Sequence, residues 1–273
     1  MTWVALRVVP GSRRDEVIAA LFAAGAGGLH EDGDAVVTHF PSTAEAQSVA
    51  KRLAAIVSAT AITMAPVPDI DWTIAWRERL GDYALGSLTI VPPWRAAGHD
   101  PTRTIVIEPG MAFGTGDHPS TRGAGRLLEA AVRPGVRVAD LGTGSGVLAI
   151  AAARHGAAHV FAIEIDPDAL PNARANVERN GVAEVVHLLE GDAAVLLRLV
   201  APVDVIVANI ISSIILPLLP VMAECLRPGG TAIIAGLLAA ERNEVRRALS
   251  DGGWRVLQED LEDDWWSARI ERA

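Results

Sequence analysis

The stretch DLGTGSGVLAI, residues Asp140 to Ile150, joins a short apolar strand over 136–141 to an apolar helix through a turn with glycine at every second position. Gly142, Gly144 and Gly146 remove side chains where the backbone must turn sharply and approach a ligand. A helix starting near Gly146 is expected to aim free N–H groups at that ligand. The spacing is G-x-G-x-G, not the G-x-G-x-x-G of a pyrophosphate-binding dinucleotide fold. Glu164 lies 22 residues after Gly142, at the end of a second strand, HVFAIEI. A carboxylate there can accept both hydroxyls of a ribose. Turn and carboxylate together point to an adenosine ligand without a pyrophosphate, of which S-adenosylmethionine is the commonest. The alternative, a tight connection with a solvated Glu164, leaves three entropically costly glycines unexplained.

Outward from this turn, strands and helices alternate. Strands are expected at 137–141, 159–163, 185–190, 203–208, 231–236, 254–260 and 266–271, with helices in the intervals. Five strands separated by helices imply a parallel, doubly wound sheet. The last two, with no helix between them, should pair as an antiparallel edge. Ligands bind at strand carboxyl ends in such folds, and Asp140, Glu164, Asp192 and Asn209 all fall near one. Asp140 can orient a cofactor ammonium or hold the turn. Asp192 can accept from an adenine amine or cap the helix AAVLLRL. Asn209 ends VDVIVAN with an amide that both donates and accepts.

Upstream, GMAFGTGDHPST (Gly110 to Thr121) suits a loop folding over a polar ligand, with Thr121 opening the helix that follows. His118 in this loop is more commonly a cap or a surface residue than a general base. The N-terminal portion reads as strand 3–9, helix 13–24, strands 28–30 and 35–40, helix 44–56 capped by Ser42 or Thr43, and strand 61–65. This β-α-β-β-α-β order fits a small ferredoxin-like domain of the kind used for recognition. Pro66 and Pro68 mark a linker, 72–80 has a short helical pattern, and 87–91 and 104–107 look like strands. The expected organisation is a recognition domain over 1–66, a connector over 67–103 and the α/β domain over 104–273.

Composition narrows the function. The 273 residues are half hydrophobic and carry a net charge of −9, which disfavours tracking nucleic-acid phosphates and suits a basic protein partner. The single cysteine, Cys225, excludes an internal disulfide, and no secretory signal is read near the N-terminus, so a cytoplasmic location is expected. The longest apolar run, 208–222, is broken by Asn209, Ser212, Ser213, Pro217 and Pro220 and is shorter than the roughly 20 residues that span a bilayer; it reads as a core element. Lys51 is the only lysine, so no other residue can serve as a catalytic lysine.

At these residues the chain resembles the methyltransferases of ribosomal protein L-eleven (L11), which use S-adenosylmethionine to methylate amines of that large-subunit protein. The resemblance runs through DWTIAWRERL, VPPW, AFGTGDHPST, DLGTGSGVLAI, EIDPDALPNARANVERNG, VANI and GGWRVLQED. It implies a Rossmann-like class I methyltransferase domain behind the small N-terminal domain. It also implies cofactor contacts at Thr121, Gly142, Glu164 and Asn209, beside Gly144 and Asp192 from the motif reading, and no metal. The family usually has aspartate where this chain has Glu164, and GTGTHPTT where it has GTGDHPST. The implied reaction is displacement by a neutral amine, with Asn209 aligning the amine, Phe113 shaping the pocket and water taking the proton. The expected substrate is L11, through lysine side chains and its terminal amine. The alternatives are a methyltransferase for another protein lysine or a small amine, and a non-catalytic adaptor.

Overall fold

The computed structural model describes residues 3–58, 61–66, 80–110 and 116–273. The helical pattern expected at 72–80 falls, except for Leu80, outside them, as do Pro68 and Phe113. The chain divides into two compact units, Met1–Arg79 and Leu80–Ala273.

In the smaller unit, β1 (Val4–Val8), β2 (His30–Asp32), β3 (Ala35–Phe40) and β4 (Ile62–Pro66) form an antiparallel sheet in the order β2-β3-β1-β4. Helices α1 (Arg14–Ala23) and α2 (Thr43–Leu53) bury Val17, Leu21, Val49 and Leu53 with the sheet residues Leu6, Val8 and Phe40. Alternation along β1 sends Val4, Leu6 and Val8 inward, the period-2 signature of a sheet with one covered face. Ser42 caps α2 by accepting the Glu45 N–H at 3.2 Å. Strand β2 begins two residues later than the sequence suggests. Asp32 pairs with Ala35 across a two-residue turn whose Gly33 has φ +59°, and the Gly28 carbonyl is taken by the Thr38 hydroxyl instead of by the ladder.

The larger unit is built on a seven-stranded sheet of β8 (Arg137–Leu141), β9 (His159–Glu164), β10 (Val186–Glu190), β11 (Val203–Asn209), β12 (Leu226–Leu238), β13 (Trp254–Glu262) and β14 (Trp265–Arg272). The order is β10-β9-β8-β11-β12-β14-β13. The first five strands in this order run parallel, and β14 and β13 close the edge antiparallel, as the missing helix between them required. Strand β12 is longer than expected because Leu226 already pairs with Val203, and Leu237 and Leu238 continue onto Trp266 and Trp265.

Both faces of this sheet are covered, which explains the continuous apolar strands. Along β11, Val205 and Val207 enter one core with Leu127 and Leu128 of α3 (Pro119–Ala131) and with α4 (Val147–Arg154). Ile206 and Ala208 enter the other, with Leu197 of α6 (Ala193–Val200), Met222 of α7 (Ser212–Cys225) and Val245 of α8 (Arg242–Asp251). Helix α5 (Leu170–Arg179) adds Val177 to the first core. The run 208–222 is thus the end of β11 followed by a core helix, and no helix among the described residues is long and apolar enough to cross a membrane.

A three-stranded sheet, β5 (Tyr83–Leu85), β6 (Leu88–Val91) and β7 (Thr104–Val106), belongs to this larger unit. Leu85, Leu88, Ile90 and Ile105 are buried in the first core. Residues 80–103, expected from sequence to be part of a connector, are therefore packed structure of the α/β unit. Strand β5 has no sequence signal because three residues between Gly81 and Gly86 carry no measurable period.

Candidate functional site

A cleft of about 660 Å³ opens at the carboxyl ends of the parallel strands. It brings together Gly142 and Gly144 after β8, Glu164 at the end of β9, Asp192 after β10, Asn209 at the end of β11, and Thr121 on α3. The cofactor-contact residues expected from sequence all meet here. Asp140 does not line the cleft. A groove of about 780 Å³ in the smaller unit, lined by residues between Trp3 and Arg52, contains none of the expected cofactor-contact residues.

Gly142 has φ +72° and a Cβ there would stand 2.7 Å from Ile210 Cγ2, so both conformation and space require glycine. The turn's own N–H groups are used within the protein. Gly142 and Thr143 donate to the Ile163 carbonyl at 2.9 and 3.1 Å, Gly144 to Glu164 Oε2 at 2.9 Å, and Gly146 to the Thr143 carbonyl at 2.9 Å. The turn itself therefore offers a shaped, side-chain-free surface more than a set of donors.

Glu164 is 8% exposed and does two things at once. Its Oε2 holds Gly144, and its Oε1 accepts the N–H groups of Ile165 and Asp166 at 2.9 and 3.0 Å. An ionised carboxylate offers about four lone-pair sites, so with three N–H donors bound the capacity left toward the cleft is on Oε2. Asp192 is the N-cap of α6 through Oδ1, 2.6 Å from Ala194 N, and also lines the cleft.

Asn209 Nδ2 donates to Thr121 Oγ1 at 3.1 Å. Its Oδ1 is buried and has no hydrogen-bond partner among the described residues. An unpaired buried acceptor costs roughly 1–3 kcal/mol, an expense recovered when a donor enters the cleft. Thr121 does not open its helix, as expected from sequence. The helix begins at Pro119 and His118 is the N-cap, which puts fully buried Thr121 deeper in the first turn, against Asn209.

His118 Nδ1 lies 2.8 Å from Ser120 Oγ and 3.3 Å from Ser120 N, and the ring is the N-cap of the helix. Burial pushes its pKa down, Arg122 adds to this and Asp117 opposes it. The neutral ring therefore caps the helix. His118 also stands edge-on to Trp265 at 4.5 Å, and Trp265 forms a wall of the cleft that sequence reading did not single out. The position of Trp265 is fixed from α3. Arg126 meets Asp260 and Glu262, each at 2.6 Å, and Arg122 pairs with Glu262. Burial works against ionisation of Glu262, but the two guanidiniums outweigh it and hold its pKa below the ordinary range.

Asp140 lies behind the turn, 1% exposed, with its Oδ2 accepting the Thr143 hydroxyl at 2.7 Å. Its structural role is to hold the turn. Burial pushes its pKa up to about 7, against the Thr143 hydrogen bond and with a further push from Glu164. A carboxyl raised in the folded state gives stability that is fully present below its unfolded pKa and is lost as pH climbs through the folded value. Between pH 5 and 7 the unfolding free energy of wild type should fall, relative to that of Asp140→Asn, by about 2 kcal/mol, and the gap should level off above pH 7. Urea titrations of both proteins across that range decide the point; a gap independent of pH would mean that Asp140 is ionised throughout.

Comparison with known proteins agrees with this geometry. Residues 15–273 match the family described as Ribosomal protein L11 methyltransferase (PrmA). The ribosomal protein L11 methyltransferase of Thermus thermophilus is 38% identical over 251 residues, covering 92% of this chain and 92% of that protein. That of Symbiobacterium thermophilum is 43% identical over 210 residues, which cover 74% of this chain and 66% of that longer relative. The crystal structure of a ribosomal protein L11 methylase from Lactobacillus delbrueckii subsp. bulgaricus superposes with a TM-score of 0.63 at 31% identity, covering 70% of this chain and 98% of that one. With a family match from one end of the α/β unit to the other, and with the glycine turn, Glu164 and Asn209 gathered in one cleft, the chain belongs to the ribosomal protein L11 methyltransferase family.

Proposed function

We infer that this protein is an S-adenosylmethionine-dependent methyltransferase whose substrate is ribosomal protein L11, acting on lysine side chains and the terminal amine. Beside the family match, the observation that carries the reading is the buried, unpaired Asn209 Oδ1, set in the same cleft as the Glu164 carboxylate. When bound, S-adenosylmethionine supplies a methyl group made electrophilic by its sulfonium. Glu164 accepts a ribose hydroxyl at Oε2, Asp192 takes the adenine amine with the oxygen that α6 does not use, and Gly142 and Gly144 give the cofactor an unobstructed surface. Thr121 holds the Asn209 amide so that Oδ1 faces the incoming nitrogen.

A lysine amine, with an ordinary pKa of about 10.4, is neutral when it reacts, and burial beside a positive charge favours that form. An N–H of that amine donates to Asn209 Oδ1, which orients the nitrogen lone pair. The proton leaves to water. The enzyme's contribution is alignment in a dry cleft, not acid–base chemistry.

The smaller unit, with its β-α-β-β-α-β order, reads as a ferredoxin-like recognition domain over 1–66, and residues 80–103 belong to the catalytic domain, which extends over 80–273. A net charge of −9 suits a basic ribosomal protein and disfavours direct contact with RNA. Incubating purified L11 with enzyme and cofactor, read by intact mass, tests the function.

A further inference from the structure

Asn172, Asn176 and Asn180 recur at every fourth residue along α5 and its cap. That spacing is about 6 Å along a helix, close to the roughly 6.6 Å between alternate residues of a strand. The chain running from the end of β7 uses the match. Asn180 accepts the Val106 N–H at 2.9 Å and donates to the Val106 carbonyl at 2.7 Å. Asn176 Oδ1 accepts the Glu108 N–H at 2.8 Å, and Asn172 Nδ2 donates to the Glu108 carbonyl at 3.1 Å. Strand β7 is the edge of its sheet, so these helix amides fill the ladder positions that another strand would otherwise take.

Asn176 has further partners. Its Nδ2 donates to the Ser145 carbonyl at 3.0 Å, inside the glycine turn, while Arg179 steadies its Oδ1 at 2.9 Å. The side chain is fully buried, so neither bond is diluted by water. The turn needs such an anchor. Gly142, Gly144 and Gly146 all have positive φ, and glycine has little intrinsic preference for one conformation over another. Glu164 and Ile163 of β9 hold the turn through Gly142, Thr143 and Gly144. Asn176 holds it from α5, at the peptide that leads into the helix cap Gly146.

We propose that Asn176 is a positioning residue for the cofactor: by fixing the Ser145–Gly146 peptide it sets the shape of the turn on which S-adenosylmethionine lies. This rests on the cofactor reading given above. Asn176 touches no reacting atom, and its neighbours on the ladder separate its two roles. Asn180 holds the same extended segment but makes no bond to the turn.

The test is calorimetric binding of S-adenosylhomocysteine to wild type, Asn176→Ala, Asn176→Asp and Asn180→Ala, with the thermal midpoint of each. Asn180→Ala should lower the midpoint and leave the dissociation constant within twofold of wild type. Asn176→Ala should weaken binding tenfold or more. Asn176→Asp keeps the volume and the acceptor for Glu108 and Arg179 but loses the donor to Ser145, so it too should weaken binding at least fivefold, with a smaller loss of midpoint. Binding within twofold of wild type in Asn176→Asp, or an affinity loss in Asn180→Ala that matches Asn176→Ala, would overturn the proposal. Wild type that does not bind S-adenosylhomocysteine would instead bring down the cofactor reading, and this proposal with it.

Discussion

Glu164→Ala is expected to weaken S-adenosylmethionine binding by at least a hundredfold. The charge-assisted hydrogen bond from the ribose to Oε2 is worth about 1.5–3 kcal/mol, roughly tenfold to beyond a hundredfold in affinity. The structure adds a second loss, because the same carboxylate accepts the Gly144, Ile165 and Asp166 N–H groups. Without it the glycine turn loses its hold on β9 as well as its ribose acceptor. Glu164→Gln, which keeps the volume but turns an NH₂ toward at least one of those N–H donors, should fall between wild type and alanine. Calorimetric titration of folded protein reads the effect, and an affinity unchanged in Glu164→Ala would remove this residue from the cofactor site.

Asn209→Ala separates binding from turnover. The cofactor has other contacts, but an unpaired acceptor preset for the amine acts most in the transition state, where the nitrogen must be aligned and the N–H is most polarised. The expected result is a fall in kcat of about a hundredfold with a cofactor Kd raised less than tenfold. Thr121→Val supplies an internal check. It preserves shape in a fully buried position but removes the acceptor of the Asn209 NH₂, so the amide loses its fixed orientation and kcat should fall by about tenfold. Equal losses in kcat and cofactor affinity for Asn209→Ala would make it a cofactor ligand alone.

Much of this site is legible in the amino-acid sequence because its parts sit at strand ends. A strand followed by G-x-G-x-G, and carboxylates or amides closing the next strands, fix both topology and position: in a parallel sheet every strand carboxyl end lies on the same edge. Glu164, Asp192 and Asn209 are legible for that reason. What sequence alone does not reveal depends on contacts between distant segments. Trp265 reaches the cleft only because Arg122 and Arg126 clamp the β13–β14 hairpin to α3, across more than 130 residues of sequence. The asparagines of α5 look like polar residues on a solvated face until the edge of β7 is found beside them. The glycine turn is located by its spacing, yet spacing does not say where its N–H groups point, and most of them point inward.

The most direct test of the proposed methylation is intact-mass spectrometry of purified L11 incubated with this enzyme and S-adenosylmethionine. Additions in whole CH₂ steps should appear on L11, located to lysine side chains or the terminal amine by fragmentation, and accumulate about a hundredfold more slowly with Asn209→Ala. L11 left unchanged by an enzyme that binds the cofactor, with label from the same cofactor passing to another protein in cell extract, would contradict L11 as the substrate.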